Sequence, residues 1–142
     1  MSFVLDIKVG IGISELTFDS FMKDAERFFG KADNVEDMSD LEVSPIILWH
    51  YNKLGASLFF DAFTTQTFIC ADIHHPEASL WGKDIFTLTE KQIVELFRDK
   101  DIHLFEIEHH EWGEKRLSFD EANIDFYFER NKLVSIHFGL IK

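Results

Sequence analysis

Leu16-Thr17-Phe18-Asp19-Ser20-Phe21-Met22 is answered later in the chain by Leu88-Thr89-Glu90-Lys91-Gln92-Ile93-Val94. Both stretches set an apolar residue before a threonine and an apolar pair one turn beyond it. That is the pattern of a capped helix start. The threonine oxygen takes an orphan backbone N–H, and the flanking apolar residues close as a hydrophobic staple. Each stretch leads through a tryptophan (Trp49, Trp112) to paired aromatic strands, Ala56-Ser57-Leu58-Phe59-Phe60 in the first case and Ala122-Asn123-Ile124-Asp125-Phe126 in the second. The chain therefore reads as one helix-plus-strands unit written twice, at about 14–74 and 86–139, and self-similarity on that scale bears on architecture before any motif does. The expected fold class is α+β, an antiparallel sheet built from the two units with both helices packed on one face. No long Gly/Pro/Ser-rich linker separates the halves, so residues 1–142 are expected to form a single domain with one shared sheet and core.

Outward from those two anchors, the first helix is expected to be capped by Thr17, with Asp19 in its first turn at the positive end of the helix dipole. Phe18, Phe21, Met22, Ala25, Phe28 and Phe29 fall at helical spacing on one broad face, and Gly30 is a good terminator. In the second helix Gln92 completes a capping box with Thr89, and Ile93, Val94, Leu96 and Phe97 supply the inner face. Residues 3–9 alternate, with Phe3, Leu5, Ile7 and Val9 on one side, which predicts a strand with one buried face. Further strands are expected at 46–52, 56–62 and 68–74, then at 103–110, 115–119, 123–129 and 133–138. Hairpin turns are expected at 52–55 and 129–132, and His75-Pro76-Glu77-Ala78-Ser79 breaks the sheet. Between the first helix and its strands, residues 33–42 carry five acids and no base and are expected to form a loop or an irregular helix.

Acids outnumber bases 26 to 14, for a formal charge of −12. That argues against a nucleic-acid backbone, whose affinity comes from lysine and arginine neutralising phosphates, and against an anionic membrane surface. A basic protein is the better electrostatic partner, although acidity also serves solubility alone. The apolar fraction of 46% and the sixteen phenylalanines supply a core, since each aromatic buries roughly 150–250 Å². Cys70 is the single cysteine, which excludes an internal disulfide, and its apolar surroundings predict a buried small hydrophobe. The N-terminal residues lack the basic and long apolar regions of a signal peptide, and no stretch approaches the ~20 apolar residues of a membrane span. The chain reads as cytoplasmic.

No catalytic constellation stands out. A Gly-x-Ser-x-Gly elbow and a P-loop are absent, and Gly10-Ile11-Gly12 lacks the third glycine of a dinucleotide fingerprint. No cofactor is implied. Read as a strand, His103 to His110 points Glu106, Glu108 and His110 to one side, a set that can hold a divalent ion if a further ligand joins it. The polar face of an exposed strand looks the same. Phe59, Phe63, Phe126 and Phe128 can line an apolar-ligand pocket under a helix or simply fill a core. The acidic residues Asp33, Glu36, Asp37, Asp40 and Glu42 are the best candidates for a functional surface, because clustered carboxylates steer and hold a basic partner.

The run Phe28-Phe29-Gly30-Lys31-Ala32-Asp33, followed by Trp49-His50-Tyr51 and an apolar strand pair, resembles the helix-plus-sheet repeat of β-lactamase inhibitor proteins and of the small outer-membrane assembly lipoproteins. The tandem arrangement is similar to the inhibitor proteins in particular. The resemblance implies a repeat fold used as a protein-binding surface. In general character, small, acidic and α+β, the chain also resembles bacterial toxin-immunity proteins. The expected function is a non-catalytic protein-binding module that neutralises a basic toxin or enzyme. The alternatives are a metal-binding protein or metal-dependent enzyme using Glu106, Glu108 and His110, and a small apolar-ligand carrier.

Overall fold

The computed structural model describes residues 5–38, 40, 45–63 and 66–141, apart from the side chain of Trp112. In chain order the elements are β1 (Asp6–Lys8), β2 (Gly12–Ile13), β3 (Leu16–Thr17), α1 (Met22–Phe29), β4 (Asn34–Met38), β5 (Ile46–Tyr51), β6 (Ala56–Asp61) and β7 (Phe68–Ile73). There follow β8 (Ser79–Leu80), β9 (Lys83–Asp84), α2 (Glu90–Asp99), β10 (Glu106–His109), β11 (Glu114–Phe119), β12 (Ile124–Glu129) and β13 (Lys132–Gly139). Eight strands form one sheet in the order β10-β11-β12-β13-β7-β6-β5-β4, and the five short strands form a second in the order β3-β2-β1-β8-β9. The fold class is α+β. Every pairing in the large sheet is antiparallel, whereas β1 and β8 of the small sheet run parallel.

Each helix precedes a four-strand meander, and the two meanders meet where β13 pairs with β7, Ile136 opposite Ile73 and Phe138 opposite Ala71. Register explains the layering, because cross-strand partners share a face. Leu58 and Phe60 on β6, Ala71 and Ile73 on β7, Ile136 and Phe138 on β13, and Phe126 on β12 point the same way and are fully buried. Phe97 of α2 stacks on Phe119 with centroids 4.0 Å apart and meets Phe126 edge-on at 5.6 Å. Phe29 of α1 lies 5.9 Å from Tyr51. Both helices therefore cover the same face, together with the buried Leu5, Ile7, Ile13 and Leu80 of the small sheet and its flank.

The two helices do not start alike. Thr89 behaves as its sequence predicts: its Oγ1 accepts the Gln92 N–H at 3.2 Å, and Gln92 Oε1 accepts the Thr89 N–H at 2.9 Å. Thr17 instead lies in β3 opposite Gly12, and its hydroxyl meets Ser20 Oγ at 3.1 Å. Asp19 turns the chain with φ at 72°, so α1 begins one turn later, where Asp24 Oδ2 accepts the Phe21 N–H at 3.2 Å. The requirement behind this is close approach at Gly12, where a Cβ would fall 2.1 Å from the Leu16 carbonyl oxygen. The β2–β3 hairpin holds Thr17 in extended form, and the shared capping chemistry read from the two threonines is thereby corrected. The apolar face of α1 is also narrower than expected. Ala25 is buried and Met22 and Phe29 pack on the core, but Phe21 and Phe28 are exposed and Phe18 enters the core from outside the helix.

The acidic segment is the larger correction. Residues 34–38, expected as loop or irregular helix, form the edge strand β4, with Asn34 opposite His50 and Glu36 opposite Leu48. Only one apolar alternation was available to signal it, because an edge strand exposes both its faces and its side chains need not alternate in polarity.

Candidate functional site

The large sheet has a second face, opposite the helices. Its side chains are only half-buried, as at Leu48, Phe59, Cys70, Asp72, Asp125, Tyr127 and His137. The register lays one polar row straight across it. Glu106, Ser118, Asp125 and His137 stand opposite one another from β10 to β13. The row continues through Asp72, Ser57, His50 and Asn34 from β7 to β4. Strand periodicity sets the central members of this row opposite the core, since Ser57, Asp72, Ser118, Asp125 and His137 each lie between two buried neighbours.

Hydrogen bonds join two pairs of this row, and others lie beside it. His137 Nδ1 bonds Asp72 Oδ1 across the seam between the meanders, and the ring also bonds the Cys70 side chain. The Asp72 bond, followed by that to Cys70, raises the His137 pKa from its ordinary 6.5 to about 10 against the opposing effect of burial. His137 is therefore an imidazolium at neutral pH. The edge of its ring meets Phe59, with centroids 5.4 Å apart. Nearer the edge, His50 Nδ1 lies 2.7 Å from Ser57 Oγ and Nε2 lies 2.8 Å from Glu36 Oε1. On the other flank Arg116 Nη2 donates to Glu108 Oε2 at 2.6 Å. Burial, with Asp125 nearby, raises the Tyr127 pKa despite its hydrogen bond with Arg116. Among the described residues, two buried atoms of this face, Arg116 Nε and Ser118 Oγ, have no hydrogen-bond partner. Cys70 corrects the expectation of a buried residue: it stands half-exposed on this face, opposite Gly139.

The acidic candidates are separated by this geometry. Asp33 is structural, since its Oδ2 accepts the Asn52 N–H at 2.7 Å and its own N–H donates to the His50 carbonyl at 2.9 Å. Beside it, Tyr51 donates its hydroxyl to the Gly30 carbonyl at 2.8 Å. Burial, then Glu26 and Asp33, pushes the Tyr51 pKa to about 12. Glu36 joins the open face through His50. Asp37 shares the other side of β4 with Val35, Asp40 is exposed in the turn that follows, and Glu42 lies outside the described residues.

Glu106 and Glu108 do share the open face on β10, but His110 lies beyond the strand, 3.6 Å from a Glu108 carboxylate already engaged by Arg116. Among the described residues no group of three or more His, Cys, Asp or Glu is gathered so as to hold a metal ion. The four phenylalanines of the pocket reading part company: Phe126 and Phe128 are buried in the core, Phe59 lies on the opposite face, and Phe63 is 76% exposed. The crevice between α1 and the sheet, lined by Leu5, Phe29, Tyr51 and Leu58, has no room for a water molecule. A depression of about 330 Å³ opens instead where the register of β12 and β13 shifts, between Tyr127, Ser135, Val134 and Glu114.

The sequence alone did not point to His50, Ser57, Asp72 or His137. Their outward positions were readable from alternation, but their meeting depends on which strands become neighbours. No family model matches the chain, and neither a curated protein nor a solved structure matches it. No helix among the described residues is long and apolar enough to cross a membrane.

Proposed function

We propose that the chain is a non-catalytic protein-binding module of the cytoplasm that captures and neutralises a basic toxin or enzyme. The observation that carries this reading is the concentration of carboxylates on exposed strands of a protein with a formal charge of −12. Glu36 and Asp37 stand on β4, the strand at one end of the large sheet's order, and sheet edges are a recurring place of protein recognition. The likeness of Phe28-Phe29-Gly30 and Trp49-His50-Tyr51 to the inhibitor-protein repeat supports the same reading.

The test is affinity capture at low and high salt, followed by titration with the purified captured protein. A basic protein whose binding weakens steeply between about 50 and 300 mM salt is the expected result, because exposed charges are screened over about 10 Å at 0.1 M. Absence of any basic partner, or binding indifferent to salt, would refute the electrostatic reading.

A further inference from the structure

We propose that the docking surface is the whole open face of the eight-stranded sheet, and that its occupant is an arginine-rich segment of a basic protein laid across the strands. This rests on the protein-binding reading above and adds to it the surface and the chemistry of the partner. Eight strands at about 4.8 Å spacing make a face some 34 Å wide, and six-residue strands make it roughly 20 Å long. About 700 Å² is thus on offer, close to the ~800 Å² that each partner contributes to a standard interface.

Charge sets the partner's sign. Arg116 is neutralised by Glu108 and His137 by Asp72, which leaves Glu36, Asp125 and Glu106 to give the face its negative excess. The apolar residues set its kind. Phe59 and Tyr127 stand half-exposed beside the polar row, and a planar guanidinium can stack on such rings while pairing with an adjacent carboxylate, which a lysine ammonium does less well. Among the described residues, buried Ser118 Oγ in the row and Arg116 Nε beside it have no hydrogen-bond partner, which places unmet hydrogen-bonding capacity on the same face. Such groups are few in folded proteins. The opposite face is covered over its centre by both helices and the small sheet.

The experiment titrates the isotopically labelled full chain with a deca-arginine peptide at low salt and follows the amide resonances. The expected outcome is that the largest changes fall at Asp72, Asp125, Tyr127 and His137. Asp125→Asn, Phe59→Ala and Tyr127→Ala should each weaken binding about three- to tenfold, with unchanged cooperative unfolding as the check on folding, and deca-lysine should bind at least threefold more weakly than deca-arginine. Changes confined to Asp33, Asp37 and Asp40 would remove the face and leave the acidic edge as the site. Changes spread equally over the helix acids Asp24 and Glu95 would also overturn the proposal, as would equal affinity for the lysine peptide. No binding of either peptide would overturn both this proposal and the electrostatic function. A concentration-dependent dimer that protects the same residues would assign the face to a second copy of the chain and refute it.

Discussion

Replacing Asp72 by asparagine keeps the shape of the side chain that faces His137 and removes its charge. His137 is held near pKa 10 in the folded chain, against 6.5 as its ordinary value, first by its bond to Asp72. Because the folded value is the higher one, the stabilisation is complete below about pH 6.5 and is lost as pH rises towards 10. At about 1.4 kcal/mol per tenfold change in proton affinity, the ceiling is about 5 kcal/mol. The His137 and Asp72 side chains are 34% and 42% exposed, so solvent screening reduces this to about 1–2 kcal/mol. Urea denaturation of both proteins at pH 6, 7.5, 9 and 10.5 measures it. The wild type should exceed Asp72→Asn by about 1–2 kcal/mol at pH 6, and the gap should close as pH passes 10. Taking the difference cancels other groups that titrate in the same range. A gap that is constant with pH, or that widens as pH rises, would refute the assignment of a charged His137 paired to Asp72.

Other perturbations separate the parts of the fold. Phe97→Ala should cost about 3–5 kcal/mol in chemical denaturation, because a fully buried ring stacked on Phe119 and edge-on to Phe126 leaves a cavity its neighbours cannot fill. Thr89→Ala should lose about 1 kcal/mol with its cap, whereas Thr17→Ala, which caps nothing, should change stability by less than about 0.5 kcal/mol by the same measurement. Gly12→Ala should lower the thermal midpoint clearly, since its Cβ would meet the Leu16 carbonyl oxygen at 2.1 Å and the β2–β3 hairpin would have to open. Asp33→Ala should destabilise the end of β5 by about 1 kcal/mol or more, read as faster hydrogen exchange at Asn52, whose N–H it would leave without its carboxylate partner.

The parts legible in the sequence are those that depend on near neighbours. The α2 cap needs only Thr89 and Gln92, three positions apart. The turn at 129–132 needs only two residues able to take positive φ, here Arg130 and Asn131. Core strands such as Ile124-Asp125-Phe126-Tyr127-Phe128 announce themselves by alternation. Where a distant partner intervenes, local chemistry misleads. Thr17 has every feature of a cap, yet pairing with Gly12 holds it in a strand. Asn34–Met38 carries the composition of a loop, yet its backbone ladder with β5 makes it an edge strand. Cys70 sits in an apolar run, but strand pairing turns it to the half-exposed side. Among the site candidates, Glu36 reaches the open face while Asp33 holds the chain together, a distinction set by His50 and Asn52 across the sheet.

Sequence alone determined that this is an acidic α+β chain with two helices, many short strands, an aromatic core and outward polar positions on every central strand, because periodicity and capping are properties of consecutive residues. Tertiary structure decided which of those polar positions meet. It joined β7 to β13, set His137 against Asp72 sixty-five residues away, and drew Glu106, Asp125, Asp72 and His50 into one row. Register between strands distant in sequence is a collective outcome of packing, and no window of the chain contains it.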